Sequence, residues 1–523
     1  MPFIPTKIQY SSLTSINYLT HHKRRCAYLL CFAVVIILCY LFLISPDFHI
    51  GKPLKEDNFD VIFKEERTKE NAFDQINKKI WEAFETEQNA TWNRFNCERI
   101  VHGDKDYLYN LQNKIITYKD NPNLSLKCED IYERNHFLNI TRSEDEKKFP
   151  LAFARIVNQD YRFLEAELAT NYHPQNWYCF AVDSKADDIF YEKILALASC
   201  FKNIIIPRSR YPVDSGGWKI LKKISKKFFF QGHGMGKAHL SCFKELIKKE
   251  RKWEYLVTLQ NHDIQIKTNE EMVQIFKWLG GACDAEYNFH SKVERDRLEG
   301  LNRKFNWTFE SLKIFKDASL NKRFNEQGLP LTLSLASGNI QASLARFFVE
   351  FIVNKLDLTK MLDQLDNWEY AGDEFFIQTL LASDDLKAPN AFTHKCIDQK
   401  INVPYVTRYN IWEFEHKDKC YSNNFRHYSC VFGIDDLWHN FHNLKYLFVN
   451  KMMPKYDFGA IICWHEEMRR RNILESRLKK LNATIYQNWP QASFFLKKIF
   501  EKLNLSFSDT FSSGMEATRQ SRH

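Results

Sequence analysis

The stretch from Leu151 to Asn269 constrains the fold most, because short apolar runs alternate there with helical patterns. Leu151–Val157 reads as a strand, and Phe163, Leu164, Glu167 and Leu168 follow at three- and four-residue spacings. Trp177–Asp183 reads as a second strand ending on a carboxylate, followed by a helical stretch from Tyr191 to Ala198 and a third strand from Asn203 to Ile206. Ala238–Lys249 reads as a helix, and Glu254–Leu259 as a fourth strand running into Asn261, His262 and Asp263. This alternation predicts an α/β fold with a mostly parallel sheet covered on both faces. Such sheets bind ligands at the carboxyl ends of their strands, where Asp183 and Asp263 stand. Farther on, Asp284 to Phe324 predicts a long loop with a helix, and Leu331–Ser337 a fifth strand. Ala342–Lys355 predicts an amphipathic helix whose core face is Leu344, Phe347, Phe348, Phe351 and Ile352.

Charge and apolar runs indicate an address. The balance of 74 Lys and Arg against 65 Asp and Glu is mild and spread along the chain, which gives no support to a nucleic-acid partner. Cys26–Ile44 is a 19-residue run without a charge, long enough to span a bilayer. It follows His21-His22-Lys23-Arg24-Arg25, so the positive-inside rule puts residues 1–25 in the cytosol. No small-residue cleavage pattern follows Ile44-Ser45-Pro46, which favours an uncleaved anchor over a signal peptide. The expected organisation is a cytoplasmic tail (1–25), a transmembrane signal anchor (26–44), a charged stem (45–147) that is helical around Phe73 to Phe84, a lumenal body (148–500) and a disordered tail (501–523). Sequons at Asn89, Asn123, Asn139, Asn306, Asn482 and Asn504 agree with a lumenal body. So do the ten cysteines beyond the apolar run, an even number that allows five disulfides.

Several residues could carry chemistry. Tyr370-Ala371-Gly372-Asp373-Glu374-Phe375-Phe376 sets two carboxylates at the start of a helical pattern. Asp373 suits a helix N-terminus, where it would face free amides. Glu374 precedes an apolar run that would leave it partly buried, as suits a general base. Arg426 to Gly433 reads as a strand with Arg426 and His427 at its entrance, and Lys451 comes about twenty residues later. Converging cations would suit a diphosphate leaving group, and solvated surface charge is the alternative. Gly232-His233-Gly234-Met235-Gly236-Lys237 departs from known phosphate-loop patterns and reads as a flexible turn. His439 and His442 lack an evident third metal ligand. The sequence contains no GxSxG, so a hydrolase elbow has no support.

Ordered blocks run through the chain: Pro150–Phe153, Tyr172–Cys179, Val182–Lys185, Ala198–Asn203, Asp263 with Lys267–Asn269, Gly372–Glu374, Cys430–Gly433 with Asp436-Leu437, and Leu447–Lys451. In order and spacing they resemble the core-2/I-branching β-1,6-N-acetylglucosaminyltransferases, a family that also includes peptide O-xylosyltransferases. The resemblance runs from about Phe149 to Arg471. It implies a GT-A-like nucleotide-sugar fold and a type II Golgi membrane protein that needs no metal or other cofactor. It further implies an inverting transferase that moves N-acetylglucosamine from UDP-GlcNAc, in β-1,6 linkage, onto a glycan or glycoprotein acceptor. Carried residue by residue, Glu374 becomes the catalytic base, Asp183 a nucleotide contact, Glu286 an acceptor contact and Lys451 a diphosphate contact. The family's second diphosphate cation is an arginine; His427 stands at its position with Arg426 beside it, and histidine lacks arginine's permanent charge and fork of donors. The implied disulfides are Cys97–Cys463, Cys128–Cys200, Cys179–Cys242 and Cys420–Cys430; Cys283 and Cys396 are left over, either as an extra pair or unpaired. Sugar-nucleotide transferases that use a metal hold it with Asp-x-Asp after a strand. Here the strict pattern occurs only at Asp104-Lys105-Asp106, in the expected stem. The alternatives are another donor within the family, such as xylose, or a catalytically silent, membrane-tethered carbohydrate-binding protein.

Overall fold

The computed structural model describes residues 56–502, apart from 112–113, 139–140, 215–231, 289–291, 400–402, 442–443 and 476–477. The expected anchor at Cys26–Ile44, the sequons at Asn139 and Asn504, His442, the side chain of Cys396 and residues 503–523 lie outside this description. No helix among the described residues is long and apolar enough to cross a membrane. The chain divides into two units, Met1–Thr68 and Lys69–His523, and everything below concerns the second.

Its centre is a six-stranded sheet in the order β3-β2-β1-β4-β7-β6. The expected runs form β1 (Leu151–Val157), β2 (Trp177–Val182), β3 (Ile204–Ile205) and β4 (Tyr255–Leu259), all paired in parallel. Every residue of β1 is buried, as a central strand covered on both faces requires. Its one charged residue, Arg155, donates at 2.9 Å to the Asp263 carbonyl and so pins the turn between β4 and β5 (Asp263–Gln265). Beyond β4 the sheet becomes mixed. β7 (Ala342–Ala345) runs antiparallel to β4, and β6 (Asp284–Ala285) antiparallel to β7.

Two expectations fail here. Ala342–Lys355 is a strand followed by the helix Arg346–Asn354, so Leu344 is a buried strand residue and Phe347 is 66% exposed. Leu331–Ser337 does not enter a sheet: the Ser334 and Ala336 amides donate to the hydroxyls of Ser383 and Thr379.

A second sheet, in the order β5-β11-β8, adds β8 (Arg408–Tyr409) and β11 (Phe448–Asn450). Between them, β9 (Phe425–Arg426) and β10 (Ser429–Cys430) form a hairpin. The expected single strand from Arg426 is thus broken at His427 and Tyr428, whose φ values of 52° and 60° suit a tight two-residue turn.

The segment expected to be a stem belongs to the core from Phe73 onward. Within the helix Glu56–Gln88, Ile80, Trp81 and Phe84 are buried, and Phe84 meets Phe458 edge-on at 4.8 Å. The fully buried Arg162 covers the Phe84 ring at 4.1 Å and pairs with Glu87 at 3.0 Å. A spacer would have no reason to supply a counter-ion to the interior.

The disulfides join Cys97 to Cys463, Cys128 to Cys200, Cys179 to Cys242 and Cys420 to Cys430. Cys283 is a free, buried thiol that accepts from the Ala345 amide, so it does not pair with Cys396. Asn89, Asn123, Asn306 and Asn482 are all exposed.

Candidate active site

Several resemblance blocks turn out to be joints of the scaffold. The Asn176 side chain accepts from the Leu151 amide at 2.9 Å and donates to Asn269 at 2.7 Å, which ties the starts of β1 and β2 to the helix Asn269–Leu279. Thr268 and Glu271 form a capping box at that helix. Asp183, buried at the end of β2, accepts from the amides of Lys185 and Val213 at 2.9 and 3.1 Å. Its carboxylate therefore shapes the loop that crosses the carboxyl edge of the sheet.

That loop leads to the glycines read as a flexible turn, which are instead firmly docked. The Gly232 amide donates to the Asp214 carbonyl, and its carbonyl accepts from the Asp373 amide at 3.1 Å. The Gly234 amide donates to Asp366, and Lys237 pairs with Asp363 and Asp366 at 2.8 Å. Gly232 has a φ of +76°, and a Cβ there would stand 2.0 Å from Asp373 Oδ1. Gly232→Ala is therefore expected to lower stability by about 1–2 kcal/mol from the left-handed backbone alone and to displace Asp373-Glu374. Thermal melts and kcat measured together check this; a wild-type kcat would show that the contact does not position the pair.

Asp373 and Glu374 lie in a short 3₁₀ turn, Gly372–Phe375, ahead of the helix Phe376–Ala382. The expected capping role of Asp373 is not seen, since neither element takes a side-chain cap. Asp373 is instead buried with Oδ1 unpartnered, and burial, then the charge of Glu374, pushes its carboxyl up to about 8. Glu374 is the accessible member of the pair, with its side chain 36% exposed. Its Oε2 accepts from Arg297 at 2.8 Å, and Arg297 also donates to the Ala371 carbonyl and packs over Tyr370 and Phe375.

Hydrogen bonds and one ion pair connect Glu374 to the cations. Its carbonyl accepts from Gly338, and the next residue, Asn339, donates twice to Glu286, at 3.0 and 2.6 Å. Arg408 donates to Asn339 at 3.1 Å and stands 3.6 Å from Asp263. Asp263 accepts from Asn450 at 2.7 Å, and Asn450 precedes Lys451. Burial, foremost, and the charge of Glu374 raise the Glu286 carboxyl above its usual range, against the Asn339 amide and Arg408. Glu286 and Glu374 thus share one charged neighbourhood.

The cations Arg426 and Lys451 lie together. Lys451 Nζ donates to the Arg426 carbonyl at 3.2 Å. Burial, then Arg408 and Arg426, pushes its ammonium down to about 8. Arg426 reaches the Met453 sulfur at 3.5 Å. Among the described residues, Arg426, His427 and Lys451 have no ion-pair carboxylate. Arg297 and Arg408 escaped the sequence reading: neither sits in a motif, and each meets its partners only through the fold.

Among the described residues, the acidic, cysteine and histidine groups do not form a conventional cation site. Asp263 stands just past β4, but its Oδ2 accepts from the Gln260 amide and its Oδ1 from Asn450. In Asp104-Lys105-Asp106, Asp104 caps a turn at Tyr107 and pairs with Arg99. Cys420, Cys430 and Asp436 lie close together, yet the two sulfurs are bonded to each other. His439 bonds the Asp435 carbonyl and stacks on Tyr421.

The chain is similar to known proteins. The beta-1,3-galactosyl-O-glycosyl-glycoprotein beta-1,6-N-acetylglucosaminyltransferase of Bos taurus is 24% identical over 401 residues, covering 74% of this chain and 87% of that protein. The protein of the same name from Homo sapiens is 24% identical and covers 72% and 85%. Among solved structures, the mannosyltransferase Ktr4p from S. cerevisiae aligns over 55% of this chain and 81% of its own at 12% identity, with a TM-score of 0.20, too low to define a shared fold. The sequence model described as Core-2/I-Branching enzyme matches residues 151–439, which hold the central sheet and the carboxylate and hairpin sides of the site. With more than half of its length matched, the chain belongs to the Core-2/I-branching enzyme family and is a glycosyltransferase.

Proposed function

We propose that this glycosyltransferase is an inverting, metal-independent enzyme that transfers N-acetylglucosamine from UDP-GlcNAc, in β-1,6 linkage, to a glycan acceptor. The observation that carries this reading is the continuous path from Glu374 through Gly338-Asn339, Arg408 and Asp263 to Asn450-Lys451, with carboxylates at one end and unpaired cations at the other. Glu374 Oε2 is held by Arg297, and Oε1 takes the proton of the acceptor hydroxyl. The hydroxyl oxygen bonds to the anomeric carbon from the face opposite the diphosphate. The bond from that carbon to the diphosphate oxygen breaks, and UDP leaves with the electron pair. Fixed charges aimed at the departing oxygen are worth most where water is excluded, which suits Lys451, Arg426 and Arg408. The occupied oxygens of Asp263 support a mechanism without a metal. The strand order supports a GT-A-like fold. The apolar run Cys26–Ile44, the exposed sequons and the disulfides support a single-pass type II protein of the Golgi membrane with a lumenal catalytic domain.

A second reading, a silent carbohydrate-binding protein, is favoured by His427, which stands where the resemblance places the family's permanently charged arginine. A panel of UDP-GlcNAc, UDP-xylose and UDP-GalNAc, assayed with glycan and peptide acceptors with and without EDTA, separates the readings. GlcNAc transfer unchanged by EDTA is expected. Xylose preference would reassign the donor, EDTA inactivation would restore a metal, and no turnover on any pair would favour the silent protein.

A further inference from the structure

Deepening the reading above, on which it rests, we infer that the diphosphate of the donor binds together with a proton, taken up by His427. His427 occupies the first turn position of the β9–β10 hairpin and keeps an exposed face. Among the described residues, four charged groups act on it, and one of them, Lys451, donates through Nζ to the carbonyl of its hairpin neighbour Arg426 at 3.2 Å. Arg426 comes from its own hairpin, Lys451 from the end of β11, Lys455 from the start of the helix Pro454–Ile473, and Asp214 from the loop before residue 215. Three of the four are cationic and one is a carboxylate. Partial burial, then Lys451 and Arg426, pushes the imidazole down to about 4, so with no anion present it is neutral at physiological pH.

A diphosphate reverses that balance. Its charge offsets Lys451 and Arg426 and offers acceptor oxygens to an imidazolium N–H, and both effects favour the protonated ring. The histidine then supplies on demand the second charge that an arginine would carry permanently. His262 also feels these cations, but its Nε2 is already engaged by Asp160 at 2.5 Å. It is less free to gain from the ligand.

The linkage has a definite sign. Between the pKa values of the free and bound states, a group that gains a proton on binding weakens affinity as pH rises, by up to about tenfold per unit. The probe is UDP-GlcNAc itself, because its diphosphate diester has no group titrating near neutrality, whereas the terminal phosphate of UDP does. Calorimetry of the full chain with UDP-GlcNAc at pH 7, without acceptor, in buffers of different ionisation enthalpy reads proton uptake directly. Uptake of about half to one proton per donor is expected, together with Kd rising from pH 6 to 7.5. His427→Arg should keep only the small uptake, about a tenth of a proton at pH 7, that Lys451 supplies when the diphosphate restores its ammonium, with a nearly flat pH dependence below pH 7, and His427→Gln should bind more weakly with the same residual. Binding without uptake in the unaltered protein overturns the inference and leaves the donor assignment standing. Uptake that survives in His427→Arg and disappears in His262→Gln assigns the proton elsewhere and overturns it too. Absence of UDP-GlcNAc binding removes both the inference and the diphosphate reading beneath it.

Discussion

Substituting Gln for Glu374 is expected to lower kcat by about 10²–10⁴-fold, the usual contribution of a positioned base, and to leave the Kd for UDP-GlcNAc nearly unchanged. The side chain keeps its size, and the Gln carbonyl oxygen can still accept from Arg297, which holds Glu374 at 2.8 Å. What disappears is the capacity to take a proton. Among the described residues, the path from Glu374 to the donor cations runs through Gly338-Asn339, Arg408 and Asp263, with no direct contact to lose. Asp373→Asn is the internal control. Asp373 is buried and pushed up to about 8, so it is mostly protonated at neutral pH, and the amide copies that neutral form. A kcat within about threefold of the unaltered enzyme in Glu374→Gln, with a large loss in Asp373→Asn, would move the base one residue. Donor calorimetry and acceptor-saturated rates on both variants decide between them.

The parts legible in the sequence were those whose signal is local. β1, β2 and β4 are central strands buried on both faces, and burial of that kind writes a continuous apolar run. The pair Asp373-Glu374 was visible because a carboxylate beside an apolar run must be explained, though which of the two would be buried was not visible. The strand Ala342–Ala345 was missed because four small and aliphatic residues merge with the helix that follows them. Leu331, Leu333 and Leu335 alternate as a strand would, and Leu333 and Leu335 are indeed buried. The Leu331 and Leu333 amides donate to the Arg323 and Trp307 carbonyls, and the Ser334 and Ala336 amides to the hydroxyls of Ser383 and Thr379, partners that no period in the sequence announces. Arg408 joins the two halves of the site from a two-residue strand, where position depends on pairing with β11, forty residues away. The expected stem misled for a related reason: a charged surface on the helix Glu56–Gln88 outweighs its buried stripe in composition, and Glu87 looks solvated until Arg162 is seen against it.

Removing the charge at Lys451 is expected to have the second large effect. Lys451→Gln should lower kcat by about 10²–10³-fold, the cost of losing one preorganised donor from a developing anion, and should also weaken UDP-GlcNAc binding. The second effect separates it from Glu374→Gln. A pH profile sharpens the assignment. Burial, Arg408 and Arg426 push Lys451 down to about 8 in the free enzyme, so its charge is present below that value and lost above it. The profile of kcat/KM reports free-enzyme groups and should fall on its alkaline side near pH 8. Bound diphosphate restores the ammonium, so the corresponding limb in kcat should move to higher pH. Asp373 also titrates near 8, and ionising it beside Glu374 could produce a fall of the same sign. The two variants resolve the ambiguity. Lys451→Arg keeps its charge throughout the range and should carry the kcat/KM limb upward, even if the longer fork costs some rate. Asp373→Asn should leave the limb where it is. If the limb stays near 8 in Lys451→Arg and vanishes in Asp373→Asn, the alkaline loss belongs to the carboxylate pair, and Lys451 serves the donor as a charge that does not titrate during turnover.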